Sequence, residues 1–485
     1  MTTLIKNVQL IDGSGKPAFK ADVLIRNEKI SAIGNFPTYK AHDTIEGFGA
    51  YLAPGFIDIN NNADHYLTLF SNPSQKDYLL EGVTTIIGGQ CGASLAPLLY
   101  GSLESIKDWA DIGKMNIGWH TVKEFLNILN GLKFGVNFGT LAGHRTIRQA
   151  LAGDSKRDLS GSELKIFNLI LNRALKDGAF GFSTGLGYIH AKQTSYNEIK
   201  SLVEVVAKNK SLYATHLRNE KRGLLQSVNE TISIAKETGA RVLISHFRPL
   251  SGYGTDYEEA IDLISKNSAR ADVCFDIYPS DLSAVLVHDI LPEWVKEGNT
   301  ETILKDIETP GFRSKIMREL PRFSIDETII LNAPLNAYLN GKSLKEFSEN
   351  RDLKPAEGIL ELMKITGLRA VISYKNVSLK KTINAIKNDR AIVASNNIPK
   401  TFTGLLELAE KGKSLPIETA IYKITGFPAQ RLGLKNRGLL KEGFAADLTL
   451  FKNAQIREVI VAGKRAVKDG TFQNILAGQI LKHEV

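Results

Sequence analysis

Leu212-Tyr213-Ala214-Thr215-His216-Leu217-Arg218-Asn219-Glu220 is followed, one helix-like segment later, by Arg241-Val242-Leu243-Ile244-Ser245-His246-Phe247-Arg248. Each is a short apolar run that breaks off into polar residues, and the recurrence of that pattern decides the fold. An apolar run of this length reads as a strand buried on both faces, as in a parallel sheet. Working outward, similar runs occur at 51–58, 83–89, 135–141, 179–184, 271–277 and 391–394. With those at 212–215 and 241–245 they make eight. Helix-like segments lie between most of them. Ser160 with Glu163, Ser195 with Glu198, and Thr255 with Glu258 have the spacing that satisfies first-turn amides. Eight strands alternating with helices predict an α/β chain built on a (β/α)8 TIM barrel.

The flanks have a different texture. Residues 1–50 carry Ala21-Asp22-Val23-Leu24-Ile25 and Lys29-Ile30-Ser31-Ala32-Ile33 around a tight turn at Asn27-Glu28. Residues 431–485 repeat it with Ala446-Asp447-Leu448-Thr449-Leu450-Phe451 and Glu458-Val459-Ile460-Val461. Both ends are therefore expected to build one small β-sandwich, with the barrel over 51–430. The stretch from about 281 to 367 is too long for one crossover and is expected to be a mostly helical insertion.

Composition excludes several classes. Of the 485 residues, 43% are hydrophobic and 23% charged, which is ordinary for a globular chain and not for a disordered or fibrous one. The net charge of +9 is scattered as Lys among Glu, with no continuous basic face, so no nucleic-acid partner is expected. No apolar run reaches the roughly 18 residues of a membrane span. The first residues lack a secretion signal. The only cysteines are Cys91 and Cys274, too few for a disulfide scaffold, and a reducing, cytoplasmic setting is expected.

In such barrels chemistry collects at the C-terminal ends of the strands. Strand one runs into Asp58-Ile59-Asn60-Asn61-Asn62-Ala63-Asp64-His65, strand two into Gln90-Cys91-Gly92, and strand four into Gly185-Leu186-Gly187-Tyr188. Strands five and six end at His216 and His246, strand seven at Tyr278, and strand eight at Ser395-Asn396-Asn397. Alone, a buried Cys is a small hydrophobe and a buried His a satisfied polar group. Cys91, His216 and His246 at three strand ends of one barrel instead form a Cys–His–His set with an open position, which suits Zn2+. Cys274 sits inside strand seven and reads as core.

Several blocks resemble the D-aminoacylase (N-acyl-D-amino-acid deacylase) branch of the amidohydrolase superfamily. They are Asn7-Val8-Gln9-Leu10-Ile11-Asp12-Gly13-Ser14-Gly15, Ala53-Pro54-Gly55-Phe56-Ile57-Asp58, Glu81-Gly82-Val83-Thr84-Thr85 and Gln90-Cys91-Gly92. Further along come Gly181-Phe182-Ser183-Thr184-Gly185-Leu186, Thr215-His216-Leu217-Arg218-Asn219-Glu220 and Arg437-Gly438-Leu439-Leu440-Lys441-Glu442-Gly443-Phe444-Ala445-Ala446-Asp447-Leu448. Their order spans nearly the whole chain. The resemblance implies the same barrel and sandwich, and one tightly bound Zn2+ on Cys91, His216 and His246. It places substrate contacts on Tyr188, Tyr278 and Arg248, the last where the family usually has Lys.

Three departures stand out. The family's His-x-His after strand one is Asn60-Asn61-Asn62 here, its aspartate after strand eight is Asn396, and its strand-four Glu is Gly187. An amide is a poor zinc ligand beside imidazole, so Asn60 and Asn62 mark a degenerate second metal position. Asn396 cannot take a proton from water, which leaves Asp64 and His65 as substitute bases. The expected function is metal-dependent cleavage of an amide C–N bond in a small substrate carrying a carboxylate, an N-acyl-D-amino acid or a D-residue peptide. The alternative is a non-catalytic or repurposed binding protein of the same fold.

Overall fold

The computed structural model describes residues 2–153, 155, 157–321, 323–412 and 414–484. The apolar runs pair in parallel and in chain order. Phe56–Asp58 pairs with Val83–Gly88, and that strand with Asn137–Thr140. Past Leu141 the third strand resumes as Ala142–Gly143. It pairs with Gly181–Gly185, and the series continues through Leu212–His216, Arg241–Ile244 and Val273–Ile277 to Ala391–Val393. The ring closes where Ser395 N donates to Asp58 Oδ1 (2.9 Å) and Asn396 N to Asn60 O (3.0 Å).

Burial on both faces explains why these runs are apolar throughout. Ile57, Ile87, Phe180, Leu212, Leu243, Cys274 and Ile392 fill one cluster, while Phe182, Val242, Val273 and Val393 join a second with the helices. Each such side chain contributes roughly 1.5–3 kcal/mol on burial. Cys274 is fully buried, as its sequence position predicts.

Three local readings need correction. The run at 51–58 is two strands, because Tyr51–Pro54 leaves the barrel to pair antiparallel with Leu448–Lys452. The break falls at Gly55, where a Cβ would lie 2.2 Å from Thr84 Oγ1. Ser160 and Glu163 form a complete capping box, but Glu198 turns its carboxylate inward to His144 Nε2 (2.8 Å), so Ser195 caps alone. The helix Gly254–Lys266 is capped at Tyr253, so Thr255 lies within it and caps nothing.

Among the described residues, strands from both ends join one nine-stranded sheet, with Thr2–Leu10 beside Tyr51–Pro54 and the C-terminal strands beyond. Ile5, Leu10, Val23, Ile25, Leu448 and Leu450 belong to its own apolar cluster. Between the seventh and eighth barrel strands, helices such as Thr300–Glu308 and Pro355–Ile365 surround a three-stranded antiparallel sheet of Leu282–Leu286, Val371–Lys375 and Ile329–Asn332. This segment also has a separate core, including Val287, Ile303, Ile330, Phe347 and Ile372.

At the barrel floor the third strand is paired by the C-terminal tail. Phe138 N donates to Gln479 O (2.9 Å) and Leu481 N to Phe138 O (2.7 Å). Leu481 then packs inside the barrel cluster. No helix among the described residues is long and apolar enough to cross a membrane.

Candidate metal centre

The strands point to one rim, and the residues just past them line a cleft of about 1160 Å³, its open mouth included. Cys91 is reached from Val83–Gly88 through Gly89, whose φ is +74° and whose Cβ would fall 2.2 Å from Leu141 O. Only glycine turns there. His216 ends the fifth strand, and His246 lies two residues past the sixth. Cys91 (φ 50°) and His246 (φ 39°) are left-handed without being glycine. Such backbone costs on the order of 1–3 kcal/mol per residue and persists where packing enforces it.

Cys91 Sγ lies 3.4 Å from His246 Nε2, and one donor atom from each of Cys91, His216 and His246 lies within 4.8 Å of the others. With zinc–sulfur and zinc–nitrogen bonds of about 2.3 and 2.0–2.1 Å, tetrahedral geometry sets neighbouring S and N ligands ~3.5 Å apart. His216 Nδ1 is buried and has no hydrogen-bond partner. An unsatisfied buried polar atom costs about 1–3 kcal/mol. The spacing and the orphaned nitrogen therefore both fit a metal ion, with one tetrahedral position left open.

The surrounding charges are ordered. Burial, then the neighbouring His246, lower the His216 pKa to about 3, which keeps the ring neutral with one nitrogen lone pair available. Burial alone would also lower His246, but Cys91 and Glu220 outweigh it and carry the metal-free ring up to about 10. Burial likewise opposes the charge on Glu220, yet Arg248, with Nη2 2.9 Å from Oε2, holds that carboxyl well below its usual range. Arg248 Nη1 also reaches Tyr278 OH at 3.3 Å. An aromatic wall runs from His65 over Trp109 (5.0 Å) and Tyr188 (5.8 Å) to His216 (4.7 Å).

The opposite side of the rim is built of amides. Asn60 Nδ2 donates to both oxygens of Asp276 (3.2 and 3.1 Å), and Asn62 Nδ2 donates to Asn396 Oδ1 (3.3 Å). Asn397 Oδ1 accepts from Asn62 N and Tyr78 OH. Burial pushes the Asp276 carboxyl up to about 6, against the pull of His246 and its hydrogen bonds. Asn60 Oδ1 and Asn62 Oδ1 are buried acceptors without partners.

No family model matches the chain. Among curated proteins, an N-acyl-D-aspartate deacylase from Alcaligenes xylosoxydans xylosoxydans is 30% identical over 471 residues, 94% of this chain and 86% of that protein. The chain belongs to the D-aminoacylase branch of the amidohydrolase superfamily. A D-aminoacylase from the same organism is 29% identical over 458 residues, 94% of this chain and 89% of the relative. A D-aminoacylase crystal structure superposes with a TM-score of 0.82 at 25% identity, covering 99% of each chain. The branch comprises metal-dependent hydrolases of amide C–N bonds, and the barrel matches it.

Within this branch member, the residues singled out by sequence fall in different places. Cys91, His216, His246, Tyr188, Arg248, His65, Asn62 and Asn396 line the cleft. Asn60 sits fully buried behind Asn62, against Asp276. Asp64 does not line the cleft, because its Oδ2 accepts from Gly89 N (2.6 Å) in the space that Gly88 leaves free of side chain. Tyr278 is buried behind Arg248 and does not line it either. Gly187 lies so close to His216 that a Cβ there would sit 2.6 Å from Nε2.

Sequence reasoning gave no role to Glu220, Lys221, Trp109 or Asp276. Glu220 stands four residues after His216, and Lys221 one further. Their spacing was visible as a charged strand end, but their partners come from distant segments.

Proposed function

We propose that this cleft hydrolyses the amide bond of N-acyl-D-amino acids, or of peptides carrying a D residue, with one tightly held zinc ion. The observation that carries this reading is the convergence of Cys91, His216 and His246 at the barrel rim. A thiolate with two imidazoles favours zinc over harder divalent ions. When bound, the ion polarises a carbonyl and acidifies water.

The chain's own residues do the rest. His65 Nε2 lies 3.0 Å from Ala93 O. A carbonyl only accepts, so Nε2 carries the proton and Nδ1 is the nitrogen free to take one from the attacking water. Asn62 and Asn396 orient that water by hydrogen bonding but cannot deprotonate it. Arg248 is already paired with Glu220, so the substrate carboxylate goes to Lys221, a cleft-lining cation without an ion pair among the described residues. Lys296 beside it is already paired with Glu293 (2.7 Å) and adds only its field to the same rim. Tyr188 and Trp109 pack the apolar part of the substrate.

The same reading divides the chain into a barrel over 51–430, its insertion at about 281–367, and an end sheet from 1–50 and 431–485 folded over as a small sandwich. The separate clusters of the end sheet and the insertion support that division. The buried free cysteines support a reducing, cytoplasmic setting.

The test is metal content together with turnover of a panel of N-acyl-D- and N-acyl-L-amino acids, by wild type and Cys91→Ala. One zinc per chain and turnover of D substrates are expected, both lost in the variant. Zinc bound without turnover of any panel member would replace this reading with a binding protein.

A further inference from the structure

The carboxylate of Glu220 lies in the cleft and belongs to none of the groups discussed so far as ligand, base or substrate contact. Its Oε1 is 3.4 Å from His246 Nδ1, and its Oε2 is 4.0 Å from His216 Nε2. These are the outer nitrogens. On His246 the inner one, Nε2, faces Cys91 Sγ at 3.4 Å. On His216 the inner one is Nδ1, buried and without a partner. One carboxylate thus stands at ion-pair distance from both rings, an oxygen to each, although His246 Nδ1, like His216 Nδ1, has no hydrogen-bond partner and 4.0 Å is beyond hydrogen-bond reach.

Glu220 is itself held. Arg248 Nη2 contacts Oε2 at 2.9 Å, and Arg248 Nη1 reaches Tyr278 OH at 3.3 Å. The sequence arranges this economically: Glu220 follows His216 by four residues and Arg248 follows His246 by two. Each strand end delivers one imidazole and one charged group. A ring whose outer N–H faces a carboxylate is fixed in one tautomer and presents a more basic inner nitrogen to a metal.

We propose that Glu220 is a positioning residue for the metal centre, bracing His216 and His246 together from their outer nitrogens, with Arg248 as its anchor. The proposal rests on the metal site assigned above to Cys91, His216 and His246. It is not a fourth ligand, because its oxygens lie against the nitrogens turned away from the thiol. It also gives Arg248 a task other than grasping substrate.

The experiment measures the zinc affinity of the full chain by chelator competition, and the visible spectrum of the cobalt-substituted protein. Wild type, Glu220→Gln, Glu220→Asp and Cys91→Ala are compared. Glu220→Gln should bind zinc about 10–100-fold more weakly than wild type, and its cobalt bands should shift. Glu220→Asp keeps the charge but not the reach, and should fall between the two. Wild-type affinity and spectrum in either Glu220 variant, while Cys91→Ala loses the ion, would overturn the brace and leave the metal site intact. Undiminished zinc binding by Cys91→Ala would instead remove the site on which the brace depends.

Discussion

The rim of this barrel has two unlike halves. At the ends of strands two, five and six stand a thiol and two imidazoles whose donor atoms converge. At the ends of strands one and eight stand amides that have turned to each other and to Asp276. On the first side the unpartnered atoms include two imidazole nitrogens, His216 Nδ1 and His246 Nδ1; on the second they include the amide oxygens of Asn60 and Asn62. The scaffold is the same on both sides. Residue type makes one half suited to a borderline-soft metal and the other to hydrogen bonds.

The comparison breaks most visibly if its metal half is removed. Cys91→Ala should lose the bound ion and several kcal/mol of transition-state stabilisation, on the order of 10³-fold in rate, measured as metal content and kcat/KM. The converse change makes the halves alike. Asn60→His, Asn62→His and Asn396→Asp together should raise metal content from one toward two ions per chain, and a triple variant still holding one would show that the amide side lacks room as well as ligands. His65→Gln should lower kcat by about 10²-fold or more without loss of metal, whereas Asp64→Asn should act mainly on thermal stability. A rate loss in Asp64→Asn as large as that in His65→Gln would return Asp64 to the site. The smallest effect is on binding. Lys221→Met should weaken a carboxylate-bearing inhibitor by about 1.5–3 kcal/mol and leave its amide-capped analogue nearly unchanged, as read by inhibition constants.

Much of this architecture is legible in the chain. Parallel strands covered on both faces must be apolar from end to end, so runs such as Arg241-Val242-Leu243-Ile244 announce themselves. The proposed metal triad is legible too, because Cys91, His216 and His246 each follow such a run at its end. Three features escape for physical reasons. The departure of Tyr51–Pro54 from the barrel is set by the lack of space at Gly55, which periodicity does not register. The sheet of Leu282–Leu286, Ile329–Asn332 and Val371–Lys375 pairs residues 39 or more apart in sequence with helices between. Asp64 looks like a solvated loop residue in sequence, yet consecutive glycines opposite it open a buried slot that its carboxylate fills.

The tail that pairs with the third strand has a consequence for how the protein is made. Phe138 finds its hydrogen-bonding partners in Gln479 and Leu481, more than 340 residues downstream. Translation at about 5–20 residues per second separates the synthesis of these partners by roughly 17–70 s. For that interval the nascent barrel carries an unpaired strand edge and an open floor, and Tyr51–Pro54 likewise waits for Leu448–Lys452. Completion of these pairings therefore waits until residues 448–481 have been made.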